Sequence, residues 1–220
     1  MSASPQKIGI DFLSLFAFYL LFLKKINYDN NKKTIEAKIF SLKKHMHQEY
    51  ESGVPYSIHL IMVSNYINKY INLIPQNDWE NVICAGWLHD IREDVGVSYN
   101  DIKKLFGYEV AEITYNLTNN DGRNRKEKAI NTYIPKISTN RLSVFCKLAD
   151  RLANVQYGLL NKNNSMLKTQ ANELDYMVET LFVKGEYDNM WNELSNMLNK
   201  PIPNYNDNNY NYKGLEYSKK

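Results

Sequence analysis

The apolar run that ends in Trp87-Leu88-His89-Asp90-Ile91-Arg92-Glu93-Asp94 constrains this chain more than any other stretch. One imidazole and three carboxylates fall within six residues. Acids so placed are costly to bury unless they are paired or bind a cation. Neutral imidazole and carboxylate oxygen are the usual ligands of a divalent metal, which accounts for the cluster. Neighbouring residues alone do not close a coordination sphere, so the fold has to bring in further ligands. His59 and Asp150 are the two good candidates.

The periodicity around these residues is helical. Ile35, Ile39, Leu42 and Met46 recur at three- and four-residue spacing and predict an amphipathic helix from Thr34 to about Tyr50. Ser52-Gly53 breaks it, and Pro55 suits the first turn of the next helix, in which His59 stands. A third helix through Trp79, Val82, Ile83, Gly86 and Trp87 leads to His89-Asp90. Gly96 ends the acidic turn, and Ser98 with Asp101 reads as a helix N-terminus opening a short helix to Phe106. Gly107 resets the chain for a helix over Glu109 to Leu117. A polar loop from Thr118 to Lys128 enters a helix that Pro135 ends. Leu142, Phe145, Leu148, Leu152 and Val155 mark a long helix carrying Asp150, and two more helices run to about Leu198. Alternation of period two is nearly absent, so the fold class is all-α, a helical bundle.

At 220 residues the chain suits one domain with a real core. A net charge of +3 is too small to argue for a nucleic-acid polymer as partner. Cys84 and Cys146 each sit in an apolar helical pattern and read as buried thiols of a reducing, cytoplasmic compartment. Residues 1–33 read as an apolar helix, Ile8 to Leu23, followed by a polar linker; 34–199 form the domain; 200–220 read as a disordered tail. Spanning a membrane takes about 20 apolar residues. Ile8 to Leu23 is shorter and is interrupted by Asp11, so a buried or partner-facing helix is preferred to a membrane anchor.

His59 on one helix, His89 and Asp90 at the end of the next and Asp150 on a later one can converge on one cation. Each alone has a plainer account. A histidine can cap a helix, a His-Asp pair occurs by chance, and Asp150 can pair with Lys147 or Arg151 on a solvated face. The weight lies in the set.

The order His … His-Asp … Asp resembles the HD superfamily of metal-dependent phosphohydrolases. More narrowly, His89-Asp90-Ile91-Arg92-Glu93-Asp94 resembles the H-D-x-x-E-D motif of the RelA/SpoT-type alarmone hydrolases. Lys147-Leu148-Ala149-Asp150-Arg151-Leu152-Ala153-Asn154 is similar to their K-L-A-D-R-L-x-N segment, and Ser52-Gly53-Val54-Pro55-Tyr56-Ser57-Ile58-His59 to their S-G-x-P-Y-x-x-H segment. Three motifs in the family's order are a specific signal where H-D alone would be weak.

The resemblance implies an HD-domain helical bundle binding one Mn²⁺ per chain through His59, His89, Asp90 and Asp150. It implies hydrolysis of the 3′-pyrophosphate of guanosine tetra- and pentaphosphate, with a nucleotide substrate. No synthetase domain fits in the remaining residues, so hydrolysis alone is expected. Glu93 and Asp94 are the candidates for orienting or deprotonating the attacking water. Asn154, one turn after Asp150, Ser52 and Tyr176 are candidate nucleotide contacts. Arg123, Arg125 and Lys126, with Lys168 further on, are candidate contacts of the distal phosphates. Where the family carries a basic pair before Ser-Gly, this chain has Tyr50-Glu51, and Leu60 replaces the proline after the first histidine. Tyr50 offers a ring on which a purine can stack. The base is therefore open, and another phosphorylated nucleotide, an adenosine alarmone or NADPH, is the alternative substrate. A nucleotide- or partner-binding module acting as an antitoxin against a synthetase is the alternative of a different class.

Overall fold

The computed structural model describes residues 31–118 and 133–202. The apolar segment Ile8 to Leu23, the basic residues Arg123, Arg125 and Lys126, and the tail from 203 onward lie outside the described residues.

Beside two short 3-10 turns and one small hairpin, ten α-helices make up most of the described residues. They are α1 (Lys32–Lys44), α2 (Ser57–Tyr70), α3 (Trp79–Leu88), α4 (Ile91–Val95), α5 (Tyr99–Phe106), α6 (Tyr108–Leu117), α7 (Ile134–Ser138), α8 (Arg141–Leu160), α9 (Asn164–Leu181) and α10 (Asp188–Leu198). The antiparallel hairpin pairs β1 (Glu49–Glu51) with β2 (Val54–Pro55). None of these helices is long and apolar enough to cross a membrane.

Helix α8 is the axis. Fourteen of its 20 residues are buried, so it is covered on nearly all sides. It packs on α2, α9 and α10, and also on α3, α6 and α7. The larger core gathers around it, with Leu60, Ile67, Phe145, Leu148, Leu152 and Trp191 fully buried. A second core, with Ala37, Cys84, Leu88, Ile91, Ile102 and Phe106, joins α1 and α3 to α4, α5 and α6. Both cysteines are free and buried, as expected.

The crossing of α2 and α3 is close because Gly86 has no side chain. A Cβ built there would lie 2.1 Å from Ile67 Cδ1. Other punctuation behaves as the sequence indicates. Gly53 turns the hairpin at φ +77° and Gly96 closes α4 at φ +70°. Ser98 caps α5, its side chain accepting from the backbone N–H of Asp101.

Three expectations are corrected. Helix α1 ends at Lys44, and Glu49–Glu51 is a strand, not a helical end. Its buried face is Thr34, Ala37 and Ser41, while Ile35 and Ile39 are 40% and 47% exposed. Small residues let α1 approach α3 closely, and that contact outweighs the apolar stripe. Pro55 lies in β2, two residues before α2, because Tyr56 N–H is tied to Gln48 O at 3.0 Å. Pro135 stands in the first turn of α7, where its missing N–H costs nothing; the helix expected to lead into it lies outside the described residues.

Candidate active site

Three local features aim the candidate ligands. The hairpin sets the entry of α2, which places His59 in its first turn, 2% exposed. The chain breaks between α3 and α4, with His89 at φ −57° and ψ −38° and Asp90 at φ −99° and ψ 0°. On a continuous helix, adjacent side chains diverge by about 100°; the break lets both turn to one side. Asp150 comes from the middle of α8.

The ligand atoms converge. His59 Nε2 and His89 Nε2 are 3.0 Å apart. His89 Nε2 is 2.7 Å from Asp90 Oδ2 and 3.9 Å from Asp150 Oδ1. His59 Nε2 is 3.6 Å from Asp90 Oδ2 and 3.4 Å from Asp150 Oδ1. Two ligands each about 2.1 Å from one ion are separated by about 3.0 Å at a right angle and about 3.4 Å at the tetrahedral angle. The donor set and its spacing therefore fit a divalent cation. His89 Nδ1 faces Gly86 O at 2.9 Å, which makes it the N–H and leaves Nε2 as the ligand nitrogen.

Charge and hydrogen bonds hold the set. Burial disfavours charge on His59, but hydrogen bonds with Asp150 and Asp90 outweigh it and set its pKa at about 9. Burial likewise opposes charge on His89, and the Asp90 carboxylate overcomes it and raises that pKa. Burial also works against ionised Asp90 and Asp150, yet His89 and Lys147 respectively hold both carboxyls below the usual range. A 3.0 Å gap between two Nε2 atoms admits one proton and not two. Binding of a cation releases it.

Outer partners complete the arrangement. Lys147 Nζ donates to Asp150 Oδ2 and Asn154 Nδ2 to Asp150 Oδ1, each at 2.6 Å. Tyr56 OH donates to Asp90 Oδ2, and Tyr50 OH to Asn154 Oδ1. Burial, reinforced by the neighbouring aspartates, pushes both phenols up, so they remain neutral donors. The ring of Tyr50 stacks on His59 with centroids 4.9 Å apart.

A cleft of about 220 Å³ opens onto the cluster. Its lining sets five carboxylates (Asp90, Glu93, Asp94, Asp150, Glu173) against Lys147 and Arg151. That surplus of negative charge would repel an anionic ligand unless a cation offset it.

No protein-family model matches the chain. Over 117 residues it is 35% identical to the guanosine-3′,5′-bis(diphosphate) 3′-pyrophosphohydrolase of Borreliella burgdorferi, covering 50% of this chain and 17% of that protein. Over 126 residues it is 27% identical to the enzyme of the same name from Drosophila melanogaster, covering 56% of this chain and 68% of that one. A solved structure of a metazoan SpoT orthologue, described as hydrolysing ppGpp, matches the fold with a TM-score of 0.62. That match covers 77% of this chain and 95% of the other, at 22% identity. Over about half of its length the chain is similar to the RelA/SpoT-type hydrolases. It spans 17% of the length of bacterial relatives such as those of Borreliella burgdorferi and Mycoplasma pneumoniae.

Among the expected site residues, His59, Asp90 and Asp150 line the cleft with Glu93, Asp94, Tyr50 and Asn154, and His89 sits directly behind. Ser52, Lys168 and Tyr176 do not line it. Ser52 is exposed at the hairpin tip, Lys168 points from the opposite side of α9 to Gln170, and Tyr176 packs against the core. Asp150 does pair with Lys147, but in the interior and not on a solvated face. Six lining residues were not singled out from the sequence: Tyr56, Tyr133, Lys147, Arg151, Gln170 and Glu173. Lys147 and Arg151 were legible, since positions 147, 150, 151 and 154 share one helix face. Tyr133, Gln170 and Glu173 carry no local signal. Arg151 pairs with Glu173 at 2.5 Å and also donates to Gln170, which ties α8 to α9 at the cleft wall.

Proposed function

We propose that the protein is a metal-dependent hydrolase that removes the 3′-pyrophosphate of guanosine tetra- and pentaphosphate, leaving GDP or GTP, with Mn²⁺ as the ion. The observation that carries this reading is the convergence of His59, His89, Asp90 and Asp150 beneath Glu93 and Asp94 in one cleft. The names of its relatives support the substrate class.

A cation held by His59, His89, Asp90 and Asp150 would lower the pKa of water and offset charge on the phosphoryl oxygens. The chain's own residues do the rest. Glu93 and Asp94, exposed at the cleft mouth, orient the attacking water and take its proton. Water adds to the phosphorus on the 3′ oxygen as the bond between them breaks, and the released 3′ oxygen takes up a proton. Lys147 neutralises the Asp150 side of the cleft, and Asn154 fixes the Asp150 carboxylate. Tyr50 lines the cleft as the candidate surface for the base, its ring held by stacking on His59 and by T-shaped contacts with Tyr56 and Tyr157.

An antitoxin role follows from the same chemistry, because the substrate is the product of an alarmone synthetase. The two buried free thiols support a reducing, cytoplasmic setting. The test is purified protein with Mn²⁺ and a nucleotide panel, following release of pyrophosphate. Hydrolysis of guanosine 3′,5′-bis(diphosphate) is expected. Turnover confined to adenosine alarmones or NADPH would replace the substrate, and nucleotide binding without turnover would replace the enzyme by a binding module.

A further inference from the structure

We propose that His45 is a positioning residue that sets the orientation of Asp94 through the side-chain amide of Gln48. The proposal rests on the catalytic role given to Asp94 above. His45 follows the last turn of α1, is 3% exposed, and lies outside the cleft lining.

Its Nδ1 is 2.6 Å from Gln48 Oε1, and Gln48 Nε2 donates to Asp94 Oδ2 at 2.7 Å. The two bonds determine each other. An ionised carboxylate only accepts, so Asp94 needs the NH₂ end of the amide, which turns the carbonyl end to His45. His45 must then present Nδ1–H. Reversing the amide would set its oxygen against a carboxylate oxygen. The Nδ1–H tautomer leaves Nε2 as a bare lone pair, and His45 Nε2 is buried without a hydrogen-bond partner among the described residues. A bare acceptor is the less demanding group to leave so.

The backbone of Gln48 is already held. Its N–H donates to His45 O and its carbonyl accepts from Tyr56 N–H, both at 3.0 Å. Only the side-chain torsions remain for His45 to govern. The imidazole also stacks on Tyr56, with centroids 4.9 Å apart and planes at 18°, and Tyr56 OH donates to Asp90. One buried ring thus reaches Asp94 through an amide and Asp90 through a phenol. Asp94 sits exposed on a five-residue helix. Little packing restrains its carboxylate, so the Gln48 bond selects its rotamer.

The test uses three variants of the full chain with Mn²⁺ and guanosine 3′,5′-bis(diphosphate). His45→Phe keeps a flat ring on Tyr56 and removes Nδ1–H, Gln48→Leu removes the amide, and His45→Asn returns an N–H near the Nδ1 position. We expect kcat to fall about 10- to 100-fold in the first two, with KM within about twofold. The double variant should be no slower than the worse single, because the two residues act as one unit. His45→Asn should recover most of the loss. In the protein without substrate, the Gln48 side-chain amide protons, read by NMR, should exchange slowly in the wild type and rapidly in His45→Phe.

Wild-type turnover in His45→Phe, or losses that multiply in the double variant, would overturn the proposal. If His45→Phe fails to fold, Gln48→Leu decides, and an unchanged kcat overturns it. An Asp94→Asn variant at the wild-type rate, or a wild-type protein without turnover, would instead remove the reading on which this rests. The amide exchange still decides whether His45 sets Gln48: slow exchange retained in His45→Asn but not His45→Phe supports it, and equal exchange in all refutes it.

Discussion

Replacing Gly86 with alanine tests whether the closeness of α2 and α3 is what builds the ligand cluster. The new Cβ would lie 2.1 Å from Ile67 Cδ1, whereas Ile67 Cγ1 at 3.5 Å and Val63 Cγ1 at 3.9 Å are in ordinary contact. Only one methyl has to move, by about 1.3 Å to reach the 3.4 Å of normal contact. Ile67 is fully buried, so the methyl has to move against its neighbours in the core. Overpacking of this kind costs about 1–3 kcal/mol. Alanine in place of glycine within a helix returns about 1 kcal/mol. The net expectation is a loss of about 1 kcal/mol, or a melting temperature lower by about 2–4 °C for a chain of this size. Ile67→Val removes the offending methyl and alone costs about 1 kcal/mol. In the double variant the alanine methyl fills the vacated space, so stability should return to the wild-type value or exceed it. The coupling between the two sites is then about 2 kcal/mol. The same displacement reaches the site, because Gly86 O holds His89 Nδ1 and Ile67 shares α2 with His59. Gly86→Ala should weaken Mn²⁺ binding and the double variant restore it. Thermal melts and calorimetric titration with Mn²⁺ measure both effects. Additive losses, or intact Mn²⁺ affinity in Gly86→Ala, would refute the reasoning.

Three further predictions concern the site itself. His59→Ala and Asp150→Ala should each lose most of the bound metal, and full occupancy in both by metal analysis would end the assignment. Asp150→Ala should also be less stable by about 3–5 kcal/mol, since it strands the buried Lys147 ammonium. Glu93→Gln and Asp94→Asn should keep the metal and lose about 10²- to 10⁴-fold in kcat; wild-type turnover in either removes that residue from the chemistry. Tyr50→Ala should raise KM for guanosine and adenosine alarmones by a similar factor, since a stacked base contributes about 1–3 kcal/mol whatever its identity. Tyr50→Arg should favour guanine, and a strong guanine preference untouched by Tyr50→Ala would mean the base is read elsewhere.

What the sequence determined by itself was the placement of the site residues that short-range geometry carries. His89-Asp90 at the end of an apolar run, His59 after a turn and Asp150 four residues before Asn154 are local arrangements, and a helix of fixed pitch converts such spacing into direction. Gly53, Gly96 and Ser98 act the same way, each satisfying a backbone demand within a few residues. Only tertiary contact decided which face of α1 went inward. Its stripe of isoleucines was legible, yet Thr34, Ala37 and Ser41 are buried because they let the helix approach α3. The same holds for the cleft wall. Gln170 and Glu173 look like any surface pair on α9 until Arg151 arrives from α8, and Gln48 meets Asp94 across 46 positions of chain. Periodicity records which residues share a side of a helix, whereas the partner of that side is chosen by shape and charge brought from distant parts of the chain.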